Sequence, residues 1–211
     1  DFEEAEKTSN ENHVHLLVAE NYYYKPLLKK LRSILALNLI GDVLFVHVNA
    51  TKTQENNDWR DDPQKSGGGA LIEGGIHWVD FMVNMGLKVN NVTGYKAGKN
   101  KSHEQSMDLV FEYEEGAIGN LLYSWEVNTI MKGLRISRIY GKEGSITFES
   151  NGVFLFVRGK RKKLILPGFS DIAGYNAMFD DFLNALSNGK EPEYDMERAK
   201  LDLWCVVKAY E

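Results

Sequence analysis

Residues 107–125 read MDLVFEYEEGAIGNLLYSW, and this stretch decides the fold. Apolar residues at positions 107, 109, 111 and 113 alternate with Asp108 and Glu112, which is the two-residue period of a strand with one buried face. The segment 114–116 (Glu-Glu-Gly) then supplies a turn, and a second apolar run continues to Trp125. The stretch therefore predicts an antiparallel hairpin.

The strand pattern continues on both sides of this hairpin. Downstream, four short segments are typical of strands: residues 134–140, 145–149, 153–157 and 163–166. Upstream, residues 42–50 predict another strand, in which Leu44, Val46 and Val48 point to one face and Val43 and Phe45 to the other. Because both faces are apolar, we expect helices on one face and a second subunit on the face of Leu44, Val46 and Val48.

Helical spacing appears in four other segments. Apolar residues recur at intervals of three and four over residues 26–39, 70–85, 175–188 and 196–210. The chain opens with the end of a helix, followed by a predicted short strand at 14–19. These elements predict the α+β class, with a large, mostly antiparallel open sheet and helices grouped on one face.

Composition excludes several classes of protein. The chain has 211 residues and a net charge of -5, which argues against binding of nucleic acid. Its one cysteine, Cys205, lies in an apolar stretch, so no intrachain disulfide forms and a cytoplasmic location is expected. No apolar run reaches the roughly 20 residues that span a bilayer, so no membrane partner is expected.

The most informative candidate site is the stretch 67–80, GGGALIEGGIHWVD. On an α-helix, Glu73 and His77 would share a face, with Asp80 three residues further on. Gly74 and Gly75 weaken a helix, so they indicate close approach by a backbone, a substrate or a flat cofactor ring.

Three interpretations of this stretch stay open. His77 is a core histidine that bonds Glu73, or all three side chains bind a metal in a small hydrolase, or His77 transfers a proton. Three ligands on one helix leave the remaining metal coordination unexplained, so we expect no metal. Glycines 67–69 are not a nucleotide fingerprint, because neither the P-loop nor the dinucleotide spacing follows.

The loop ahead of the glycines combines Trp59, Arg60 and Lys65, side chains that suit recognition of a polyol or a carboxylate. Alternatively, Arg60 pairs with Asp61 or Asp62 on the surface. A run of three tyrosines, residues 22–24, lies where a strand gives way to a helix, a common position for a ligand.

Several short patterns spread along the chain carry a family resemblance. They are Ala19-Glu20-Asn21, Tyr24-x-Pro26, Leu39-Ile40-Gly41-Asp42-Val43, Trp59-Arg60, Gly67-Gly68-Gly69-Ala70-Leu71, Gly75-x-His77-x-x-Asp80, Tyr140-Gly141-x-x-Gly144-Ser145 and Gly189-Lys190-x-Pro192. Together they resemble the C-terminal part of the Gfo/Idh/MocA family of oxidoreductases.

The resemblance implies a two-domain parent protein. An upstream Rossmann domain would bind NAD or NADP, so no cofactor-binding residue is expected in this chain. Residues 1–20 are interpreted as the end of that domain. Residues 21–211 are interpreted as a substrate-binding and dimerisation domain that forms a homodimer or larger assembly through its open sheet face.

The resemblance also implies a reaction and a site. The parent protein would oxidise a sugar, a polyol or a related secondary alcohol by hydride transfer, with His77 and Glu73 as catalytic residues. The family has an aspartate where this chain has Glu73. Further contacts with substrate are expected from Tyr24, Trp59, Arg60, Lys65 and Asp80. A catalytically silent sugar-binding or dimerisation module is the alternative.

Overall fold

A single sheet organises the molecule. The computed structural model describes residues 2–55, 58–99, 103–128 and 133–211, and within them eight strands form the sheet in the order β2-β3-β4-β1-β5-β6-β7-β8. The strands are β1 Val43–Thr51, β2 Val89–Lys96, β3 Ser106–Tyr113, β4 Ile118–Ser124, β5 Ile136–Gly141, β6 Gly144–Glu149, β7 Leu155–Arg158 and β8 Lys162–Ile165.

The pairing agrees with the predicted class. In the described part of the chain, β1 and β4 pair in parallel and the other neighbouring strands pair antiparallel. The hairpin that the 107–125 pattern predicts is formed by β3 and β4, with Leu109 opposite Leu121. The molecule is therefore an α+β structure with an open, mostly antiparallel sheet.

The helices cover one face of this sheet and its margins. They are α1 Phe2–Asn12, α2 Pro26–Ala36, α3 Pro63–Ser66, α4 Ile76–Val83, α5 Tyr175–Asn188 and α6 Met196–Tyr210. Helix α4 packs against β4 and α6, and α6 packs against β2. Helix α5 instead contacts the short turn Tyr22–Tyr24, and its Phe179 and Leu183 stay exposed.

Two predictions about local structure are wrong. Residues 14–19 form neither a strand nor a helix, and Val14 is 58% exposed. In β1, Val46 and Val48 lie in the core beneath the helices rather than on the free face. The free face carries Phe45, which is 56% exposed and pairs with Ile118 and Tyr140. The strand pattern gave the alternation, but both faces were apolar, so it did not decide which one the helices cover.

Membrane insertion finds no support in the helices. Among the described residues, no helix combines the length and the apolar character that crossing a bilayer requires.

Candidate functional site

His77 lies at the start of α4, and its imidazole contacts the carboxylate of Glu20. Its Nδ1 is 2.9 Å from Glu20 Oε1 and 2.7 Å from Oε2. Because a carboxylate accepts hydrogen bonds, Nδ1 carries the hydrogen and the lone pair lies on Nε2. Nε2 has no hydrogen-bond partner among the described residues, and the side chain is 37% exposed. The ring is therefore fixed at one nitrogen and open at the other.

The ring of Tyr22 stacks on one face of the His77 imidazole. The two rings stack with centroids 4.9 Å apart and an angle of 18° between planes, and Tyr22 contacts the edge of Trp78 at 5.3 Å. The backbone amide of Tyr22 donates to Glu20 Oε1 at 2.9 Å. Burial raises the pKa of Tyr22, so its hydroxyl stays protonated at neutral pH.

Glu73 does not meet His77, contrary to the predicted pairing. Glu73 Oε1 accepts from Arg60 Nε at 2.5 Å. The cause is local: residues Leu71–Gly75 form a π-helical turn, with a wider spacing than the α-helical four-residue repeat, before α4 begins at Ile76. The wider turn rotates Glu73 away from His77 and toward the Arg60 loop.

The glycines of this turn accommodate a side chain, not a cofactor ring. A Cβ added to Gly74 would lie 2.7 Å from Tyr123 Oη, and one added to Gly75 would lie 2.8 Å from Leu71 Cδ1 and 3.1 Å from the Tyr123 ring. Tyr123 projects from β4 and accepts a hydrogen bond from Trp125 Nε1 at 2.7 Å. Close approach therefore accounts for both glycines, but the groups that approach are the side chains of Tyr123 and Leu71, not the backbone, substrate or cofactor ring that the sequence suggested.

Glu104 caps the beginning of the same helical segment. The amide of Ala70 donates to Glu104 O at 2.8 Å, and the amide of Leu71 donates to Glu104 Oε1 at 3.1 Å. A Cβ on Gly69 would lie 2.1 Å from Glu104 Oε2. The amides of Ala70 and Leu71, where a helix start could hold a phosphate, are thus occupied by the backbone carbonyl and the side-chain carboxylate of Glu104.

Two residues expected to contact substrate lie in the interior. Asp80 is fully buried, and its Oδ1 accepts from Asn84 Nδ2 at 2.8 Å. Tyr24 is 1% exposed, and its hydroxyl donates to Asp181 Oδ2 at 2.8 Å. Their contacts with substrate stay predictions. Successive side chains of a helix turn or a tyrosine run point in different directions, and Tyr22 is the member of the run that stacks on His77.

The loop residues are near the surface. Trp59 is 50% exposed, and the guanidinium of Arg60 lies 4.9 Å from its ring. Arg60 also pairs with Asp58, while the exposed Lys65 bonds Asp62 at 3.1 Å. The side chain of Asp61, the other predicted partner of Arg60, is outside the described part of the structure.

No metal centre is formed by the described residues. Their His, Cys, Asp and Glu side chains contain no group of three that could hold an ion. Glu73, His77 and Asp80, the predicted candidate ligands, each bond a different partner.

The sequence interpretation did not connect Glu20 or Tyr22 with His77. It also gave no role to Lys25 and Arg135, which lie against the rings of Tyr22 and Trp78. Glu20 is 57 positions from His77, so no helix or strand spacing connects them. The available signal was the position of Glu20 shortly before the tyrosine run.

A separate cavity of 670 Å³, lined by residues of α1 and α5 among others, does not include His77.

Comparison with known proteins places the fold in a family. The family model described as GFO/IDH/MocA C-terminal domain matches residues 28–147. An oxidoreductase from Formosa agariphila is 26% identical over 152 residues, which are 69% of this chain and 46% of that protein. The chain thus spans about half the length of the curated relative that it matches.

Solved structures agree on the fold. Aldose-aldose oxidoreductase from Caulobacter crescentus, complexed with glycerol, has a TM-score of 0.83 and 15% identity, over 99% of this chain and 65% of that one. The WlbA dehydrogenase from Bordetella pertussis, in complex with NADH and UDP-GlcNAcA, has a TM-score of 0.76 and 20% identity, over 100% and 65%. Because the family model covers more than half of the residues, this chain belongs to the GFO/IDH/MocA C-terminal domain family of oxidoreductases.

Proposed function

We propose that this chain is the substrate-binding and dimerisation domain of an NAD(P)-dependent oxidoreductase that acts on a sugar, a polyol or a related secondary alcohol. One observation carries the proposal: the carboxylate of Glu20 bonds His77 Nδ1 with both oxygens, which leaves Nε2 free at the surface. Membership of an oxidoreductase family supports it, as does the glycerol complex of the structurally similar Caulobacter enzyme.

In this proposal His77 removes the hydroxyl proton of the substrate. A neutral imidazole is a common general base in enzymes, and the Nε2 lone pair of His77 is the acceptor here. When Nε2 gains the proton, the imidazolium is stabilised by the negative charge of Glu20. Tyr22 limits rotation of the ring by stacking on it. Glu73 then acts at a distance from the proton transfer, by holding Arg60.

The hydride acceptor lies outside this chain in the proposal. The residues present do not fit a nicotinamide dinucleotide, because the amides after the glycine triplet are already bonded to Glu104. We therefore expect the upstream Rossmann domain to bind the cofactor and to place it against the His77 side of this domain.

The test is activity of the full-length protein that includes this upstream domain. We expect His77→Ala to lower turnover by about 100-fold to 10,000-fold, the loss associated with a general base. The matched control is His13→Ala, which changes an exposed histidine after α1. Absence of NAD- or NADP-linked oxidation of any sugar or polyol by the unmodified protein would favour the catalytically silent module.

A further inference from the structure

Lys25 is a buried cation beside the candidate site. It is only 6% exposed, and its ammonium group lies 4.1 Å from the centroid of the Tyr22 ring. Within the described residues the ammonium forms no hydrogen bond and no ion pair. Burial, and secondly the positive charge of Arg135, lower the pKa of Lys25 to about 8.

Arg135 is a second cation without a carboxylate partner. Its guanidinium carbon lies 5.1 Å from the Trp78 ring, and one terminal nitrogen donates to the side-chain oxygen of Asn151, a neutral group. Its Nε is buried and has no acceptor in the described part of the chain. Burial, and secondly the positive charge of Arg135, lower the pKa of Lys52, which adds a third positive charge near Arg135.

The neighbouring carboxylates are bonded to other groups. Glu20 binds His77, Glu73 binds Arg60, and the buried Glu149 accepts from the backbone and side-chain nitrogens of Asn151 at 3.0 and 2.9 Å. Among the described residues, these carboxylates thus have partners of their own, and none forms an ion pair with Lys25 or Arg135. A buried charge is normally paired with hydrogen-bond acceptors, and the described residues supply none to the Lys25 ammonium or to Arg135 Nε.

We propose that Lys25 and Arg135 bind an oxyanion of the substrate, a carboxylate or a phosphate carried by a sugar, with Lys52 at the edge of the subsite. Lys25 and Arg135 lie over the rings of Tyr22 and Trp78, whose centroids are 5.3 Å apart. An ammonium and a guanidinium in one neighbourhood match the several acceptor oxygens of such a group. The proposal deepens the function given above and rests on it for the reaction, since the substrate hydroxyl would face His77. The binding itself needs no catalysis and can be measured separately.

The experiment is calorimetry of this chain with three probes: glucose, glucuronate and a glucose phosphate. We expect at least one of the two anions to bind at least about tenfold tighter than glucose, from charge-assisted hydrogen bonds to the two cations. Preference for glucuronate identifies a carboxylate site, and preference for the phosphate identifies a phosphate site. Equal dissociation constants for all three probes, or absence of binding by both anions, would overturn the proposal.

Charge-changing variants localise the subsite. Lys25→Met and Arg135→Gln should remove the preference for the anion, while Lys25→Arg should keep it. Lys88→Met, which changes an exposed lysine paired with Glu114, is the control and should leave the preference intact. A preference that survives both charge removals would place the anion elsewhere and contradict the assignment. Circular dichroism of each variant confirms that the fold is retained.

The pH profile of the unmodified chain gives a test without substitution. Four titratable groups face Lys25. The ring of Tyr22 contacts its ammonium group, and the charges of Arg135, Glu149 and Glu20 act on its pKa. An anion binds the ammonium form of Lys25, so the affinity for glucuronate should fall as Lys25 loses its proton while the pH rises through about 8. Affinity that is unchanged up to pH 10 would show that Lys25 does not belong to the subsite.

The two proposals can fail separately. If anion preference is present but the full-length protein has no oxidoreductase activity, the proposed function fails and the subsite stands.

Discussion

At the scale of single residues, the tautomer of His77 depends on Glu20. The carboxylate is 6% exposed, and it also accepts the amide of Tyr22, so its position is set by the backbone as well as by His77. A carboxylate held on two sides gives His77 little freedom to rotate or to exchange the hydrogen between its nitrogens. Orientation of the ring is thus a property of the segment before the tyrosine run.

This arrangement predicts an order of effects between two glutamates. In the full-length protein, Glu20→Gln should lower turnover by at least about tenfold, equal to about 1.4 kcal/mol of barrier, because glutamine no longer stabilises the imidazolium. Glu73→Gln should lower turnover less, since Glu73 bonds Arg60. The readout is the pH dependence of kcat for both variants, with Glu143→Gln on the surface as control. A larger loss from Glu73→Gln would return the orienting role to Glu73.

Prediction from sequence relied at this scale on local signals. His77 was singled out from the stretch 67–80, and its catalytic role stays a prediction. Close approach at Gly74 and Gly75 was expected from a backbone, a substrate or a cofactor ring, whereas the structure shows side chains there. The partners of these residues were not identified, because Glu20 and Tyr123 come from distant segments that only the folded sheet brings near. Helix spacing also assumes an α-helix, and the π-helical turn at Leu71–Gly75 breaks that assumption.

At the scale of elements, α4 is fixed to α6 by a buried polar group. Asn84 Nδ2 donates to Asp80 Oδ1 at 2.8 Å and to Asp202 Oδ1 at 3.3 Å, and Tyr194 Oη donates to Asp202 Oδ2 at 2.6 Å. Asp80 Oδ2 has no conventional partner among the described residues. A proton on Asp80, donated to Asp202, satisfies this oxygen. Burial, followed by the charge of Asp202, raises the pKa of Asp80 far above its usual value.

The carboxyl pair makes stability depend on pH in a definite direction. Burial raises the pKa of both Asp80 and Asp202 above the unfolded value of about 3.9. Above that pH the folded pair keeps a proton that the unfolded state has lost, so the contribution of the pair to stability falls as the pH rises above about 4.

We expect Asp202→Asn to reduce that fall. The measurement is the free energy of unfolding in urea at pH 5 and at pH 8, for the unmodified chain and for the variant. Asp42→Asn is the control, because Asp42 is exposed and pairs with Lys142. An equal decline in the unmodified chain and in Asp202→Asn would show that the pair ionises freely and does not share a proton.

The elements themselves were mostly predictable, for an identifiable reason. Strands β3 and β7 alternate between buried and more exposed side chains, and the helices 175–188 and 196–210 end or begin at clear signals such as Gly189 and Asp195. The segment 14–19 has strand composition but pairs with no strand in the described residues, so composition alone misled. Pairing is a property of the whole sheet and is not encoded in six residues.

At the scale of the whole molecule, the sheet has one face without a helical cover. Its apolar side chains lie on adjacent strands: Phe45 on β1 pairs with Ile118 on β4 and with Tyr140 on β5, and Phe156 on β7 pairs with Leu164 on β8. All five are at least 39% exposed. Polar groups interrupt them, since His47 bonds Asn120 at 3.0 Å on the same face. Such a mixed surface is typical of an interface between subunits.

We expect this face to join two copies of the chain, and substitution at its centre tests that expectation. Phe45→Asp places a charge between Ile118 and Tyr140, where burial in an interface would be costly, so the variant should sediment as a monomer at concentrations at which the unmodified chain is a dimer. The matched control is Leu37→Asp, which adds the same charge at a residue that is 68% exposed and lies beyond the end of α2. Leu37→Asp should leave the dimer intact. A monomeric unmodified chain at micromolar concentration, or a Phe45→Asp variant that still dimerises, would show that the open face has another role.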